Sequence, residues 1–451
     1  MVYRASPEMV RLSFDDVGAQ IVPLLLRLLE RCENGTVKHA DDSILNITKV
    51  LRYLSRVSEL RVPLARHQGM LDALKRASTC ILQPDSRIER LRVLASLSNA
   101  NENKVLMLEH AGLIESILSI AVLDMEDKAR EYAAASLMDL ALSEQTQVPM
   151  ANNDKLLSTL VKLTVMEQGA KTREYAVTTM QNLAYAKENR IRLVSHSSRT
   201  VLEALKKALS MDAVGTTRRR AAGAVANLVC SDTADEMAAH NGLVDTLSRA
   251  STQDKDDDVQ RRACLALNKI ASNCNCKGKI FHIILDGLIK TATSPNSSGI
   301  SSVLRNKARD VSSREIMCRR PGLLETLTNI SSSRGYSNKD RANAIGAIMY
   351  LTNESENKTI MCNKIILNAL VDALNLEGED NTETRESAII GMERLATEVS
   401  NRQHMAQHNG VLVAIATMVE KESKLNFQGQ NSTHERLTKP KHLLMSLLLA
   451  I

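Results

Sequence analysis

Apolar residues recur three and four positions apart along most of the chain, in short stretches broken by glycine or by polar turns, which is the signature of amphipathic helices. The pattern is clearest from Asn101 to Leu142. Glu102 to His110 reads as a short helix stopped by Gly112, Leu113 to Leu123 as an apolar helix, and Lys128 to Leu142 as a longer helix rich in alanine. Glycine past a helix end supplies the left-handed residue that closes many helices, and Gly69, Gly112, Gly242, Gly322 and Gly410 all occupy that site. Alanine every three or four residues on the third helix allows close helix approach. Such a unit cannot bury its apolar face alone, so neighbouring units must stack.

The string Arg-Glu-Tyr-Ala stands at 130–133 and again at 173–176, 43 residues apart. Arg-Ala-Asn-Ala at 341–344 and Arg-Glu-Ser-Ala at 385–388 fall in the same frame, with Arg90 and Arg218 at the corresponding site. A reference position nine residues after these arginines is held by Tyr53, Asn99, Asp139, Asn182, Asn227, Lys269, Asn306, Tyr350 and Arg394, with gaps of 46, 40, 43, 45, 42, 37, 44 and 44. A period in the low forties, repeated along the chain, predicts an array of three-helix units. The pattern is weakest around Asn306, where Ser297 to Ser302 replaces the alanine-rich start. Nine residues is half a turn out of phase on a helix, so the recurrent arginines point away from the reference face and are expected to pack or pair with the preceding repeat. Residues 1–40 read as an N-terminal capping unit, 41–425 as the array, and 426–451 as a linker and an apolar capping helix.

Composition narrows the class. The aromatic share is 2%, with Trp 0 and Phe 3, against 44% hydrophobic residues dominated by helix formers, which excludes an all-β fold. Eight cysteines without a framework of short spacings, and no charged start leading into an apolar core, predict reduced thiols in the cytoplasm or nucleus. No apolar run reaches the roughly 20 residues a membrane helix needs. The net charge of +6 is mild over 451 residues and matters only where it concentrates.

The segment "NENKVLMLEHAGLIESILSIAVLDMEDKAREYAAASLMDLA" at 101–141 resembles an armadillo repeat, as does "MQNLAYAKE" followed by "NRIRLV" around 180–194, and the resemblance extends from about residue 40 to 420. It implies an all-α, right-handed superhelical solenoid of about nine armadillo-type repeats. In that family the third helices line a concave groove, and an Asn at the reference position hydrogen-bonds the backbone of an extended peptide. A carboxamide suits this because it both donates and accepts. By resemblance, Asn99, Asn182, Asn227 and Asn306 would make backbone contacts; Tyr53, Asp139, Lys269, Tyr350 and Arg394 replace the Asn elsewhere.

Four residues before the reference position, importin-alpha-type members carry tryptophan; this chain has Ala95, Ala135, Thr178, Gly223, Leu265, Ser302 and Gly346 there. Seven before it stand Arg92, Tyr132, Tyr175, Arg220 and Arg262, and eleven before it Lys128 and Lys171. Together with Lys269 these make a basic stretch with two tyrosines, opposed by Asp139 and Asp258. It is similar to the basic groove of catenin-type members, and Arg92, Tyr132, Tyr175, Arg220, Arg262 and Lys269 are the candidates for side-chain specificity toward acidic or phosphorylated segments. The plain alternative is that these arginines keep a long array soluble. The expected partners are other proteins, with no membrane role; a transport adaptor reading basic signals is the runner-up, and nucleic-acid binding, suggested by the pI of 8.8, follows it, undercut by the few stacking aromatics.

No cofactor or metal is expected. His404 and His408 have the spacing of a helical metal pair, but His67, His110, His240 and His408 all stand two residues before a closing glycine, where a donor suits a helix C-terminus. Cys264, Cys274, Cys276 and His282 form a conceivable soft-metal cluster, yet Cys-x-Cys lacks the usual zinc spacing and buried cysteine in helical arrays behaves as a small hydrophobe. Nucleotide-binding, nucleophile-elbow and kinase fingerprints are absent, which predicts a non-catalytic chain.

Overall fold

The computed structural model describes residues 19–36, 39–78, 83–166, 169–292, 297, 299–333, 335–427 and 434–449; residues 1–18 and 37–38 of the expected cap lie outside them. The described residues are helical, with no β-strand among them. The fold is an α solenoid, and the chain divides into two units, Met1–Thr233 and Ala234–Ile451.

In the N-terminal unit the three helix types stack as three columns. The long third helices Ala40–Ser55, Pro84–Ser98, Asp127–Leu140, Ala170–Leu183 and Gly215–Leu228 pack each on the next. The second helices Met70–Lys75, Leu113–Leu123, Asp154–Thr164 and Thr200–Met211 do the same, as do the short first helices Arg61–Arg66, Asn101–Glu109, Glu144–Ala151 and Asn189–Ser195. Gly112 joins a first to a second helix at φ 76°, a left-handed conformation that a side chain would strain. Ala129, Ala133 and Ala134 are fully buried and let the third helices close on their neighbours. Ala19–Glu33 packs on Ala40–Ser55 and opens the column of second helices.

A buried asparagine at the start of the first helix clamps successive repeats. Asn103 Nδ2 donates to two carbonyls of the preceding repeat, Leu97 O (3.0 Å) on its third helix and Arg61 O (2.9 Å) on its first. Asn189 repeats both bonds to Leu183 O (2.9 Å) and Gln147 O (3.0 Å). In the C-terminal unit Asn357 reaches Leu351 O and Arg314 O, and Asn401 reaches Leu395 O and Lys358 O. One carboxamide thereby ties the start of each repeat to both the first and the third helix of the repeat before it.

These clamps fix the register. Leu97 is the counterpart of Leu183, so the reference position of the second repeat is Ser96, and Asn99 stands three residues beyond it. Tyr53, Ser96, Asp139 and Asn182 are then spaced by 43 residues each, and the in-frame arginine is Arg87, not Arg90.

The recurrent arginines mostly serve their own repeat and the following one rather than the preceding one. Arg130 Nη1 donates to Asp124 O (2.5 Å), Arg218 Nη1 to Asp212 O (2.8 Å), and Arg385 Nη1 to Leu376 O (2.9 Å) and Gly378 O (2.8 Å), all carbonyls that follow a second helix. Arg87 and Arg173 instead reach forward to the carboxylates of Asp124 and Asp212. Asp124 thereby joins two repeats, its carboxylate held by Arg87 and its carbonyl by Arg130; Asp212 does the same with Arg173 and Arg218. Arg90, 1% exposed, reaches back, pairing with Glu33 and donating to Ala73 O.

The C-terminal unit has third helices at Asp257–Asn273, Ile300–Arg309, Asn338–Leu351 and Thr382–Leu395, with second helices Leu243–Gln253, Lys279–Ala292, Leu323–Ser332, Lys364–Leu374 and Val411–Phe427. After Asp257–Asn273 the short first helix is missing: Cys274 to Cys276 run without helical structure into Lys279–Ala292. That omission is the physical cause of the 37-residue gap between Lys269 and Asn306. The last helix, His434–Leu448, packs on Thr382–Leu395 with Leu443 and Leu447 buried, while Leu449 is exposed; Ala450 and Ile451 lie outside the described residues.

Candidate peptide-binding face

The third helices of the N-terminal unit share one face, carrying the reference residues and those four and seven positions earlier. Tyr53 is 58% exposed on it and lies under the Arg52 guanidinium at 4.7 Å. Arg52 pairs with Glu89 (3.0 Å), which also holds Arg92 (2.8 Å). Arg92 in turn donates from Nε to Tyr132 Oη (3.1 Å) and lies over the Tyr132 ring at 5.3 Å. Five side chains from three adjacent helices thus form one chain of contacts. Burial alone would lower the Arg92 pKa, but the Tyr132 hydroxyl and Glu89 outweigh it and hold the guanidinium above its ordinary value.

The lysines on this face are paired. Lys128 Nζ meets Glu131 Oε2 and Lys171 Nζ meets Glu174 Oε2, both at 2.8 Å, across one helical turn. These carboxylates, with Glu89, were not among the opposing charges expected from the sequence. They make the face a mixed one, and Asp139 adds a fourth carboxylate. Asp139 is 8% exposed, and burial pushes its carboxyl up to about 6, against the pull of Lys104, of Ser98 Oγ at 3.4 Å and of Arg61. Tyr175, half-buried, is also held above the ordinary phenol value, first by burial and then by the Glu131 charge.

The carboxamides differ from one another. Asn182 is buried and donates weakly to Met138 O of the preceding repeat at 3.4 Å. Asn227 is half-buried, and its Nδ2 has no hydrogen-bond partner among the described residues. Asn99 is exposed at the end of its helix, off the frame. Arg220 is exposed, with Gln181 Oε1 at 3.5 Å from Nη1. The structure therefore brings together Arg92 and Tyr132, and sets Tyr175, Asn182, Arg220 and Asn227 along the same column.

Arg262, Lys269 and Asn306 belong to the C-terminal unit. Arg262 and Lys269 are half-buried and Asn306 is exposed, in frame with the ladder by the bond from Arg314 Nε to Ala308 O. Leu265, four before Lys269, is 50% exposed. Beside Asn306, Arg305 crosses the face: Nη1 donates to Asn343 Oδ1 (3.2 Å), Nη2 reaches Glu383 Oε1 (2.5 Å), and a Cβ on Gly346 would meet its Nε at 2.7 Å. Glycine at 346 makes the room for this strap, a relation the sequence frame could not supply because it links residues 78 apart.

Of the cysteine cluster, Cys274 and Cys276 stay together while Cys264 and His282 are engaged elsewhere. His110 Nε2 stands 3.1 Å from Asp72 Oδ1, His282 Nδ1 faces Arg320 Nη1 at 3.3 Å, and Cys264 accepts from Asn268 Nδ2 at 3.6 Å.

No protein-family model matches the chain, and no curated protein matches it. Among solved structures it is similar to a designed armadillo repeat protein, at 18% identity over 55% of this chain and 99% of that one with a TM-score of 0.43, and to computationally designed armadillo repeat proteins for modular peptide recognition, at 17% identity over 54% and 99% with a TM-score of 0.44.

Proposed function

We propose that the chain is a non-catalytic scaffold that takes an extended peptide segment along the face of the N-terminal unit. The observation that carries the reading is the unbroken column of third helices presenting Tyr132, Tyr175 and Arg220 beside Asn182 and the unsatisfied Nδ2 of Asn227. An extended segment brings backbone acceptors, and the Asn227 carboxamide, its Nδ2 buried and unsatisfied, can meet one by a change of rotamer toward the face. The favoured segment is acidic or phosphorylated. Lys128 and Lys171 already hold Glu131 and Glu174, so an incoming anion must displace a carboxylate; a phosphate, carrying nearly two charges, does so better than a single carboxylate. In the C-terminal unit, Arg262, Lys269 and Asn306 offer the corresponding groups, with Arg305 lying across the face beside them.

The decisive experiment measures binding of matched phosphorylated, acidic and lysine-rich peptides by fluorescence anisotropy at low and high salt. Wild type is compared with a variant carrying Asn182→Ala, Asn227→Ala and Arg220→Glu, its fold checked by circular dichroism. Phosphopeptide binding that falls with salt and is lost in the variant supports the reading; equal binding by the variant places recognition elsewhere. Preference for the lysine-rich peptide would favour the transport-adaptor reading, which Glu89, Glu131, Glu174 and Asp139 on the same face give a physical basis.

A further inference from the structure

We propose that Asp235, Cys274 and Cys276 form a binding site for a thiophilic divalent cation of the Zn2+ and Cd2+ class, in the gap left by the missing first helix. Where the repeat pattern calls for a helix, the chain instead runs Cys-Asn-Cys-Lys-Gly, and Gly278 at φ 61° turns it back into Lys279–Ala292. Asp235, on the first helix of the preceding repeat, faces this loop. One ligand atom from each of the three residues lies within 4.8 Å of the others. Tetrahedral zinc with sulfur at about 2.3 Å and oxygen at about 2.0 Å sets neighbouring donors roughly 3.5 to 3.8 Å apart. The observed separation of Cys276 Sγ from Asp235 Oδ1, 3.3 Å, is close to that spacing before any ion is present.

The surroundings hold the donors in place. The backbone N–H of Asn275 donates to Asp235 Oδ1 at 2.7 Å, and Lys307 Nζ donates to Cys274 O at 2.7 Å, tying the loop to the following third helix. Such outer contacts orient ligands in metal sites. Cys274 is 1% exposed, Cys276 is half-buried and Asp235 is exposed, so the site is closed on one side and open to water on the other. An ion can enter there, and a water can complete the fourth position. Cys264 and His282, the other members of the sequence cluster, are engaged by Asn268 and Arg320.

Binding breaks two S–H bonds, forms two metal–sulfur bonds and one metal–oxygen bond, and releases two protons to solvent. No electron is transferred. The dication with two thiolates and one carboxylate carries a single negative charge.

The test titrates the reduced full-length chain with Cd2+, following the thiolate-to-metal charge-transfer absorption, and with Zn2+ in competition against a chromophoric chelator. The expected result is one equivalent bound with the absorption of two thiolates. Cys276→Ser should cut that band to about half or less per bound ion and weaken binding by on the order of 100-fold, and Asp235→Asn should weaken it by on the order of 10-fold. Cys230→Ser, circular dichroism checked as for the others, should leave it unchanged. A full-length chain that binds no equivalent overturns the proposal, as does a Cys276→Ser variant that still binds like wild type or a Cys230→Ser variant that loses the band.

Discussion

Arg87 grips Asp124 with two prongs, Nε 2.5 Å from Oδ2 and Nη2 3.0 Å from Oδ1, across the boundary between two repeats. The Asp124 side chain is 5% exposed and its own carbonyl takes Arg130, so one residue closes both repeats. Asp124→Ala removes the two-pronged pairing with the half-buried Arg87 guanidinium and the link it makes between repeats, and is expected to destabilise the N-terminal unit by about 1–3 kcal/mol. Arg87→Ala should cost a similar amount, and a double-mutant cycle in chemical denaturation should return a coupling of about 1–3 kcal/mol. Additive single effects would mean that the pair contributes nothing of its own.

The asparagine clamp gives a contrast between two nearby residues of one type. Asn103 is fully buried and Asn99 exposed. Asn103→Ala removes both bonds, leaving Leu97 O with the Ala100 N–H, and should cost about 1–3 kcal/mol, whereas Asn99→Ala should change stability by less than about 0.5 kcal/mol. Equal effects in urea unfolding would contradict the register assigned to the second repeat.

Asp139 makes stability pH-dependent in an unusual direction. Its carboxyl is raised from 3.8 to about 6 in the fold, so between those values the native chain holds a proton that the unfolded chain has released. Stability from this residue is therefore full below about pH 4 and falls as pH rises through 6. A shift of about two units corresponds to about 3 kcal/mol. Asp139→Asn should raise stability at pH 7 by about 1–3 kcal/mol and leave it nearly unchanged at pH 4, as thermal melts at the two pH values would show.

Glu131 and Glu174 restrain the lysines that an acidic partner would need. Glu131→Gln and Glu174→Gln are each expected to tighten a phosphopeptide about two- to five-fold and to weaken a lysine-rich one, since exposed pairs of this kind are worth about 0.2–1 kcal/mol. Weaker phosphopeptide binding in either variant would place the carboxylates in contact with the ligand itself.

The helical array was legible because period and amphipathic pattern are local properties. Asn101–Glu109, Leu113–Leu123 and Asp127–Leu140 match the segments expected from the sequence to within a few residues. The register of the second repeat was not legible, because Arg87 and Arg90 lie one turn apart and either fits the motif. Glu131 and Glu174 carry no signal in the repeat pattern because they stand eight residues before the reference position, beside the row at seven. The missing first helix at Cys274 was visible only as a short gap. The approach of Asp235 to the cysteines, and of Arg305 to Glu383, depends on stacking across repeats and has no trace in local pattern.

The clamps of Asn103, Asn189, Asn357 and Asn401 all point backward along the chain. A ribosome releases the chain from its N-terminus, so each carboxamide emerges after both carbonyls that it will bind. A growing array adds repeats to an end that is already waiting for them, and synthesis in that direction leaves no clamp donor in search of an acceptor still to be made.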